Sequence, residues 1–186
     1  MNLLDLDIRW RRFNDEDRTC PCCGRQFNGV FDIGFDHPDI WPHGPLPDGQ
    51  VEHQVGEDKL GSDLCRLDEA RFIRCILPLP IQGSDEVFHF GTWAEVTPEA
   101  FYGYIDACFG EGPFDGCAAR LANALPGIES GDETACDLAP GPDGERPRLM
   151  ARGGPLKAAQ EQGISFDQLL DIYAASGSDI RPHLAA

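Results

Sequence analysis

The clearest pattern of hydrophobic and polar positions lies in the middle of the chain. Residues 71–77 and 87–96 are rich in β-branched and aromatic residues, and Gln-Gly-Ser-Asp-Glu at 82–86 separates them. Two such runs around a short polar turn predict a β-hairpin. Because side chains alternate between the two faces of a strand, one face of the second strand is predicted to carry Phe88, Phe90, Thr92, Ala94 and Val96.

The second half of the chain continues with helices and a weaker hairpin. Helices are predicted near 97–109, 155–162 and 165–176, with Thr97 and Ser165 as N-caps. Residues 133–138 and 146–151 predict a second hairpin, and 118–125 a short helix. Strand pairs followed by helices, without βαβ alternation, predict an α+β fold whose antiparallel sheet has about four strands built from hairpins.

The remaining pattern divides the chain into three regions. Residues 1–19 form a polar lead-in, residues 20–176 a single domain, and residues 177–186 a tail. Within the domain, 20–64 is an irregular Cys/Gly/Pro-rich segment and 65–176 is the α+β core. The prolines at 38, 42, 45 and 47 exclude a regular helix in that segment. So long an irregular stretch is unusual in a compact domain, which indicates a function or a local constraint such as a metal ion.

Charge and targeting signals restrict the class of protein. The chain of 186 residues has 15 Lys and Arg against 32 Asp and Glu, a net charge of −17. Such a chain is repelled by phosphate backbones and anionic membranes, so we expect neither nucleic acid nor membrane as partner. A signal peptide and a membrane-spanning run are not evident, which predicts a cytoplasmic protein. Its eight cysteines are then expected to be reduced thiols.

The stretch RTCPCCGRQF, residues 18–27, carries the main candidate chemistry. Cys20 and Cys23 form a C-x-x-C followed by Gly24, the local arrangement of one half of a zinc knuckle. A closed structural zinc site needs four ligands, and the chain has no second C-x-x-C. Cys65 is the favoured third ligand because it immediately precedes the first core strand. The fourth is open, and the other candidates are Cys22, Cys75, His37, His43, His53 and His89.

Two other interpretations of this stretch stay open. It is a metal-free turn with ordinary thiols, or it is a thioredoxin-like redox pair. Redox C-x-x-C pairs usually open a helix in a βαβ unit, and no helical pattern follows Cys23. Nearby carboxylates would also raise the pKa of such thiols.

A second, weaker candidate is the loop that contains Asp36, His37, Asp39 and His43. Its carboxylates and imidazoles suit a hard-cation or mixed metal site, although turn formation and solvation explain such residues more often. A Ser-His-Asp order and a Gly-rich phosphate loop are both missing from the sequence. The sequence therefore favours a binding protein over an enzyme.

Several short motifs in order resemble an uncharacterised bacterial family, the domain of unknown function 2199 (DUF2199). After C-x-x-C-G they are Ser62-Asp63-Leu64-Cys65, Arg71-Phe72-Ile73-Arg74, Phe90-Gly91-Thr92-Trp93, Gly131-Asp132-Glu133-Thr134, Arg146-Pro147, Pro155-Leu156 and Gln162-Gly163-Ile164. The resemblance runs from about residue 19 to 175. It implies a fold and a bacterial cytosolic setting, and it implies no activity.

The resemblance also bears on the ligands. In the family pattern a histidine often lies four residues after the second cysteine, which together with the Asp-Leu-Cys cysteine would complete a Cys3His set. Here that position is Phe27, and the histidine often found before the Pro-Leu pair is Gly154. Either this chain uses a substitute such as Cys22 or a loop histidine, or the family's site does not bind metal.

These observations predict a small acidic cytoplasmic domain that binds a protein or small-molecule partner. Its expected cofactor is a structural zinc ion held by Cys20, Cys23 and Cys65, with Cys22 a candidate for the fourth ligand. The alternative is a thiol-dependent or metal-assisted enzyme that uses Cys22 or the Asp36/His37/Asp39/His43 loop.

Overall fold

Nine strands and five α-helices make up the described part of the chain. The structure, a computed structural model, describes residues 2–129, 134–142 and 144–185. The strands are β1 (Ile33–Gly34), β2 (Glu52–Val55), β3 (Asp58–Gly61), β4 (Leu64–Leu67), β5 (Ala70–Pro80), β6 (Val87–Val96), β7 (Cys117–Leu121), β8 (Ala135–Ala139) and β9 (Arg148–Ala151). The helices are α1 (Ile8–Phe13), α2 (Pro98–Cys108), α3 (Gly154–Gln162), α4 (Phe166–Ala175) and α5 (Arg181–Ala185), and a 3-10 helix, Leu3–Leu6, precedes them.

Five strands close into a small barrel. β5 to β9 pair in sequence order, and β9 returns to β5 through a parallel contact between Ile76 and Arg148. β4, β3 and β2 extend the sheet from β5, and β1 joins β6 in parallel. The α+β class is confirmed, but about four antiparallel strands is an undercount, and the sheet is mixed. Barrel closure depends on contacts between distant segments, which local residue patterns do not register.

Both predicted hairpins are confirmed. β5 and β6 pair antiparallel from Arg71↔Val96 to Pro80↔Val87, and β8 and β9 pair antiparallel through Cys136↔Ala151. The five residues predicted to share one face of β6 are all buried. The predicted start of the second hairpin at Glu133 and its turn residue Asp143 lie outside the described residues.

The three predicted helices are also confirmed, as α2, α3 and α4. The Thr97 hydroxyl accepts a hydrogen bond from the Ala100 backbone N–H at 3.2 Å, which caps α2. Ser165 and Gln168 form the predicted reciprocal capping box at α4, with distances of 3.1 and 2.8 Å. Local capping chemistry therefore sets where these helices begin.

The predicted short helix at 118–125 is wrong, because these residues supply β7. Ala119 pairs with Cys136 of β8 and is buried. Beyond the strand, the buried Asn123 side chain accepts hydrogen bonds from the Thr92 hydroxyl at 2.9 Å and the Trp93 N–H at 3.0 Å. The alanine-rich run has helical propensity, but strand pairing and burial override so weak a preference.

The segment 20–64 is less irregular than predicted. β2 and β3 form a hairpin from Glu52↔Gly61 to Val55↔Asp58, and β1 lies earlier in the same segment. The residues of β2 and β3 are mostly polar, so their types alone do not predict strands. Their pairing is completed by β4, which joins β3 to β5.

The two outer segments of the described chain pack against each other. α1 buries Trp10 and Phe13, while Ile180, just before α5, and Leu184, within α5, are fully buried. α1 contacts α5, and the Arg12 guanidinium donates to the Leu184 carbonyl at 2.8 Å. This contact places His183 next to the turn at residues 20–24.

Candidate metal centre

A tight turn holds the three neighbouring cysteines. The Cys20 N–H donates to the Arg25 carbonyl at 2.8 Å, and the Gly24 N–H donates to the Cys20 carbonyl at 2.8 Å. Gly24 has a φ of +75°, a left-handed conformation that a glycine adopts without steric cost. The turn brings Cys20, Cys22 and Cys23 to one side.

A histidine from the far end of the described chain completes the cluster. The Nδ1 atom of His183 lies 3.5 Å from the Cys20 sulfur, 3.7 Å from that of Cys22 and 3.3 Å from that of Cys23. The sulfurs of Cys20 and Cys22 are 3.0 Å apart. All four ligand atoms lie within 4.8 Å of one another.

The sulfur-to-nitrogen distances fit a tetrahedral metal ion. With Zn–S bonds of about 2.3 Å and Zn–N bonds of about 2.0 Å, tetrahedral geometry separates sulfur from nitrogen by about 3.5 Å and two sulfurs by about 3.8 Å. The three sulfur-to-nitrogen distances match this spacing, and the Cys20–Cys22 pair is shorter than it. Three thiolates and one imidazole are donors that suit zinc.

The cluster combines one buried thiol with two exposed ones. Cys20 is 1% exposed, whereas Cys22 and Cys23 lie at the surface. Hydrogen bonding from the Cys22 thiol, aided by a backbone N–H and by His183, lowers the pKa of Cys20 to about 6. The same contact raises the pKa of Cys22 to about 11. The lowered pKa of Cys20 favours the thiolate, the form in which cysteine binds metal.

Phe27, at the position where the resemblance suggests a histidine, supports the cluster from the apolar side. Its ring centroid lies 6.0 Å from that of His183 and 6.1 Å from that of Phe13. The guanidinium of Arg25 stands 4.9 Å from the same ring. Phe27 thus helps to orient the imidazole that His183 brings from α5.

Cys65, the favoured third ligand, lies elsewhere. It is 1% exposed in a second apolar cluster, the aromatic cluster, which consists of Trp41, Leu60, Cys65, Phe72 and Trp93. Strand register directs it there, because Cys65 pairs with Leu60 of β3 and Phe72 of β5. Burial raises the pKa of Cys65 to about 12. The structure does not bring this thiol to Cys20 and Cys23.

The side chains of the Asp36/His37/Asp39/His43 loop have separate partners. His37 Nδ1 contacts the Pro38 carbonyl at 2.8 Å, and His43 Nε2 lies 2.8 Å from the Asp58 carboxylate. Asp39 accepts hydrogen bonds from the Asn123 amide and the Ala124 N–H, which tie the loop to the end of β7. Within the part of the chain that the structure describes, the cysteine turn with His183 is the one group of potential ligands that converges.

The other candidate ligands are also separate. His89 Nδ1 lies 3.4 Å from Asp32, and the ring of His53 packs at 6.0 Å from that of Trp41. Cys75 is fully buried in the main core, where burial raises its pKa.

Sequence reasoning missed His183 because residues 177–186 were predicted to be a tail. One signal was present: Ile180 and Leu184 are apolar residues four positions apart, the spacing of one face of a short helix. Their burial directs the intervening turn, and His183 with it, toward the protein.

A family model described as an uncharacterised protein conserved in bacteria, DUF2199, matches residues 19–164. The chain belongs to the DUF2199 family. The match confirms the resemblance seen in the short motifs. It includes the cysteine turn and ends before His183, so in this DUF2199 protein the imidazole comes from outside the matched region. No curated protein and no solved structure matches the chain.

Proposed function

We propose that this DUF2199 protein is a small acidic cytoplasmic binding domain in which a zinc ion bound by Cys20, Cys22, Cys23 and His183 acts as a structural clamp. The observation that carries the proposal is the convergence of three sulfurs on one imidazole nitrogen at 3.3 to 3.7 Å. Four protein ligands fill a tetrahedral zinc site and leave no open position for substrate, which is typical of structural zinc.

The clamp would act on the free energy of folding. It joins residues separated by 163 positions along the chain, from the cysteine turn to α5. Unlike a disulfide, which also restricts the unfolded chain, such a clamp acts only once the fold has brought these two segments together. Because the ligand set does not exist in the unfolded chain, the binding free energy of the metal adds to the stability of the fold.

Charge and cysteine chemistry support the rest of the proposal. All eight cysteines are free thiols, in keeping with a reducing compartment. None of the helices in the described residues combines the length and apolar composition needed to cross a bilayer. The net charge of −17 favours a protein or small-molecule partner over nucleic acid or an anionic membrane.

The contacts around the thiols favour this function over a thiol-dependent enzyme. Cys22, one of the two exposed thiols of the turn, has a raised pKa, which favours its protonated form, whereas a nucleophile must be a thiolate. The thiol with a lowered pKa, Cys20, is 1% exposed and is enclosed by its own turn.

The test is the zinc content of untagged protein expressed with zinc and measured by mass spectrometry. We expect about one equivalent in the wild type and less than about 0.2 equivalents in Cys23→Ser and His183→Ala. Cys65→Ala should keep its zinc because Cys65 lies in the aromatic cluster. Cys108→Ser, which changes an exposed thiol on α2, is the matched control.

Two results would contradict the proposal. Wild-type protein with less than about 0.2 equivalents of zinc would exclude a resident ion. Zinc loss in Cys65→Ala as complete as in Cys23→Ser, with circular dichroism showing that both are folded, would mean that the ligand set is a different one.

A further inference from the structure

A polar cleft lies on the outer side of the sheet, where β1, β5, β6 and β9 approach one another. It has a volume of about 460 Å³, within the range of small-molecule sites. The ionisable side chains that line it come from four separate parts of the chain and are Asp32, Arg74, His89, Glu145, Arg146 and Arg148. Three guanidiniums in one cleft are an unusual concentration for a chain with a net charge of −17.

Most charges in the cleft already have partners. Arg146 forms an ion pair with Asp63 at 2.6 Å, and Arg148 approaches Glu145 at 3.5 Å. Asp32 accepts a hydrogen bond from the His89 N–H at 2.8 Å and lies 3.4 Å from the imidazole of the same residue. These carboxylates are therefore engaged with other groups.

Arg74 is different. It forms no ion pair among the described residues, and its guanidinium donates to the Ser62 carbonyl at 3.3 Å. Its Nε atom is buried and has no hydrogen-bond partner in that part of the chain. A buried donor without an acceptor is costly, and positions of this kind in native proteins usually face a water, an ion or a ligand.

The surroundings of Arg74 increase its need for an anion. Its guanidinium carbon stands 5.7 Å from the centre of the buried Trp93 ring, so one side of the group is covered by apolar surface. Burial, followed by repulsion from the nearby Arg146, lowers the pKa of Arg74, whereas Asp63 and Asp36 oppose that shift. A bound anion between the two guanidiniums would offset both the burial of Arg74 and its repulsion from Arg146.

Two glycines leave room beside Arg74. Gly34 of β1 pairs with Gly91 of β6, and both line the cleft. A Cβ atom at Gly34 would stand 3.5 Å from Arg74 Nη2, and one at Gly91 would stand 3.5 Å from the Gly34 Cα. A larger side chain at either position would fill the floor of the cleft next to the guanidinium.

We propose that this cleft binds a small molecule through a carboxylate or phosphate group held by Arg74 and Arg146. Guanidinium groups recognise these planar or tetrahedral oxyanions through paired hydrogen bonds, and a partly buried guanidinium does so most strongly. The inference goes beyond the zinc clamp and stands without it, since the cleft shares no residue with the cysteine turn.

The test is calorimetric titration of the full chain at constant ionic strength with two probes, inorganic phosphate and citrate. We expect one of the two to bind in a 1:1 ratio, and its identity distinguishes a phosphate site from a carboxylate site. Arg74→Gln should weaken that binding at least about tenfold, because it removes a charge-assisted contact. Arg120→Gln, which removes an exposed guanidinium paired with Glu95, is the matched control and should bind as the wild type does.

Further variants keep the proposal falsifiable if Arg74→Gln fails to fold. Gly34→Val keeps every guanidinium and narrows the cleft next to Arg74, so it should also weaken binding of the anion. His183→Ala should bind the anion normally, which separates the cleft from the clamp. The proposal is overturned if neither probe binds the wild type at about 10 mM, or if Arg74→Gln and Arg120→Gln lose affinity equally.

Discussion

The cysteine turn and the aromatic cluster place the same chemical group in opposite surroundings. Cys20 and Cys65 are each 1% exposed. Cys20 meets a thiol, backbone N–H groups and an imidazole, and its pKa falls to about 6. Cys65 meets Trp41, Phe72 and Trp93, and its pKa rises to about 12. Cys20 also lies just beneath the surface, beside the exposed Cys22 and Cys23, whereas Cys65 lies deeper. What a cysteine does therefore depends on its depth and on the groups around it, which together determine whether it is a ligand or a small hydrophobic residue.

The two regions are also assembled differently. Neighbouring strands bring the aromatic cluster together, and the register of β3, β4 and β5 determines its contacts. The cysteine turn depends on one residue that is 163 positions away from Cys20. We therefore expect the aromatic cluster to stabilise the protein mainly by packing, and the cysteine turn to stabilise it through a bound ion.

The largest effect is expected from Trp93→Ala in the aromatic cluster. The substitution removes a fully buried ring and its hydrogen bond to the Phe35 carbonyl at 3.1 Å. We expect a loss of about 3–5 kcal/mol in the free energy of unfolding, measured by urea denaturation. Trp93→Phe should lose less because it keeps most of the ring volume. If Trp93→Ala were as stable as the wild type, packing would not hold this region together.

A smaller effect is expected from removing zinc from the cysteine turn. At a free zinc concentration 100 times the dissociation constant, binding contributes about 2.7 kcal/mol. For a chain of this size, chelation should then lower the Tm of the wild type by about 5–10 °C in calorimetry.

His183→Ala sharpens this measurement. The variant should melt at the temperature of the chelated wild type, and chelator should not lower its Tm further. Cys108→Ser should respond to chelator as the wild type does. A chelator effect of equal size in His183→Ala would assign the stabilising ion to another site.

The smallest effect is expected from Asp58→Asn at the rim of the aromatic cluster. Hydrogen bonds from the Asp68 N–H and from His43 lower the pKa of Asp58 below its usual 3.8. A lowered carboxyl pKa stabilises the fold above the unfolded-state value, and this contribution is lost as pH falls through the folded-state value. The stability difference between wild type and Asp58→Asn should therefore be larger at pH 6 than at pH 3, as measured by urea denaturation. Asp115→Asn, at an exposed position, should differ from the wild type in stability by the same amount at pH 6 and at pH 3. If its stability difference changed with pH as much as that of Asp58→Asn, the effect would come from net charge and not from the contacts of Asp58.

The sequence predicts those parts of the molecule that depend on local chemistry. β5 and β6 carry long runs of β-forming residues, and Thr97 and Ser165 cap their helices through contacts three residues away. Prediction from the sequence fails where contacts between distant residues determine the structure. β7 contains alanines that favour a helix in isolation, and β8 pairing makes it a strand.

The candidate site likewise has a part that local sequence predicts and a part that it does not. The spacing of Cys20 and Cys23 predicts a turn that gathers sulfurs, because that geometry lies within a few residues. The remaining partners depend on tertiary packing. Cys65 lies next to a core strand in sequence, yet its strand turns it toward Trp93, while His183 arrives through the packing of α5 on α1.

The long separation between the cysteine turn and His183 also sets an order of events during synthesis. Translation proceeds at roughly 5–20 residues per second, so the 163 positions between Cys20 and His183 take roughly ten to thirty seconds to be made. During that interval the nascent chain presents three neighbouring thiols without their imidazole. Any ion that they capture early is held by an incomplete set of ligands, and the emergence of α5 decides when its exchange slows.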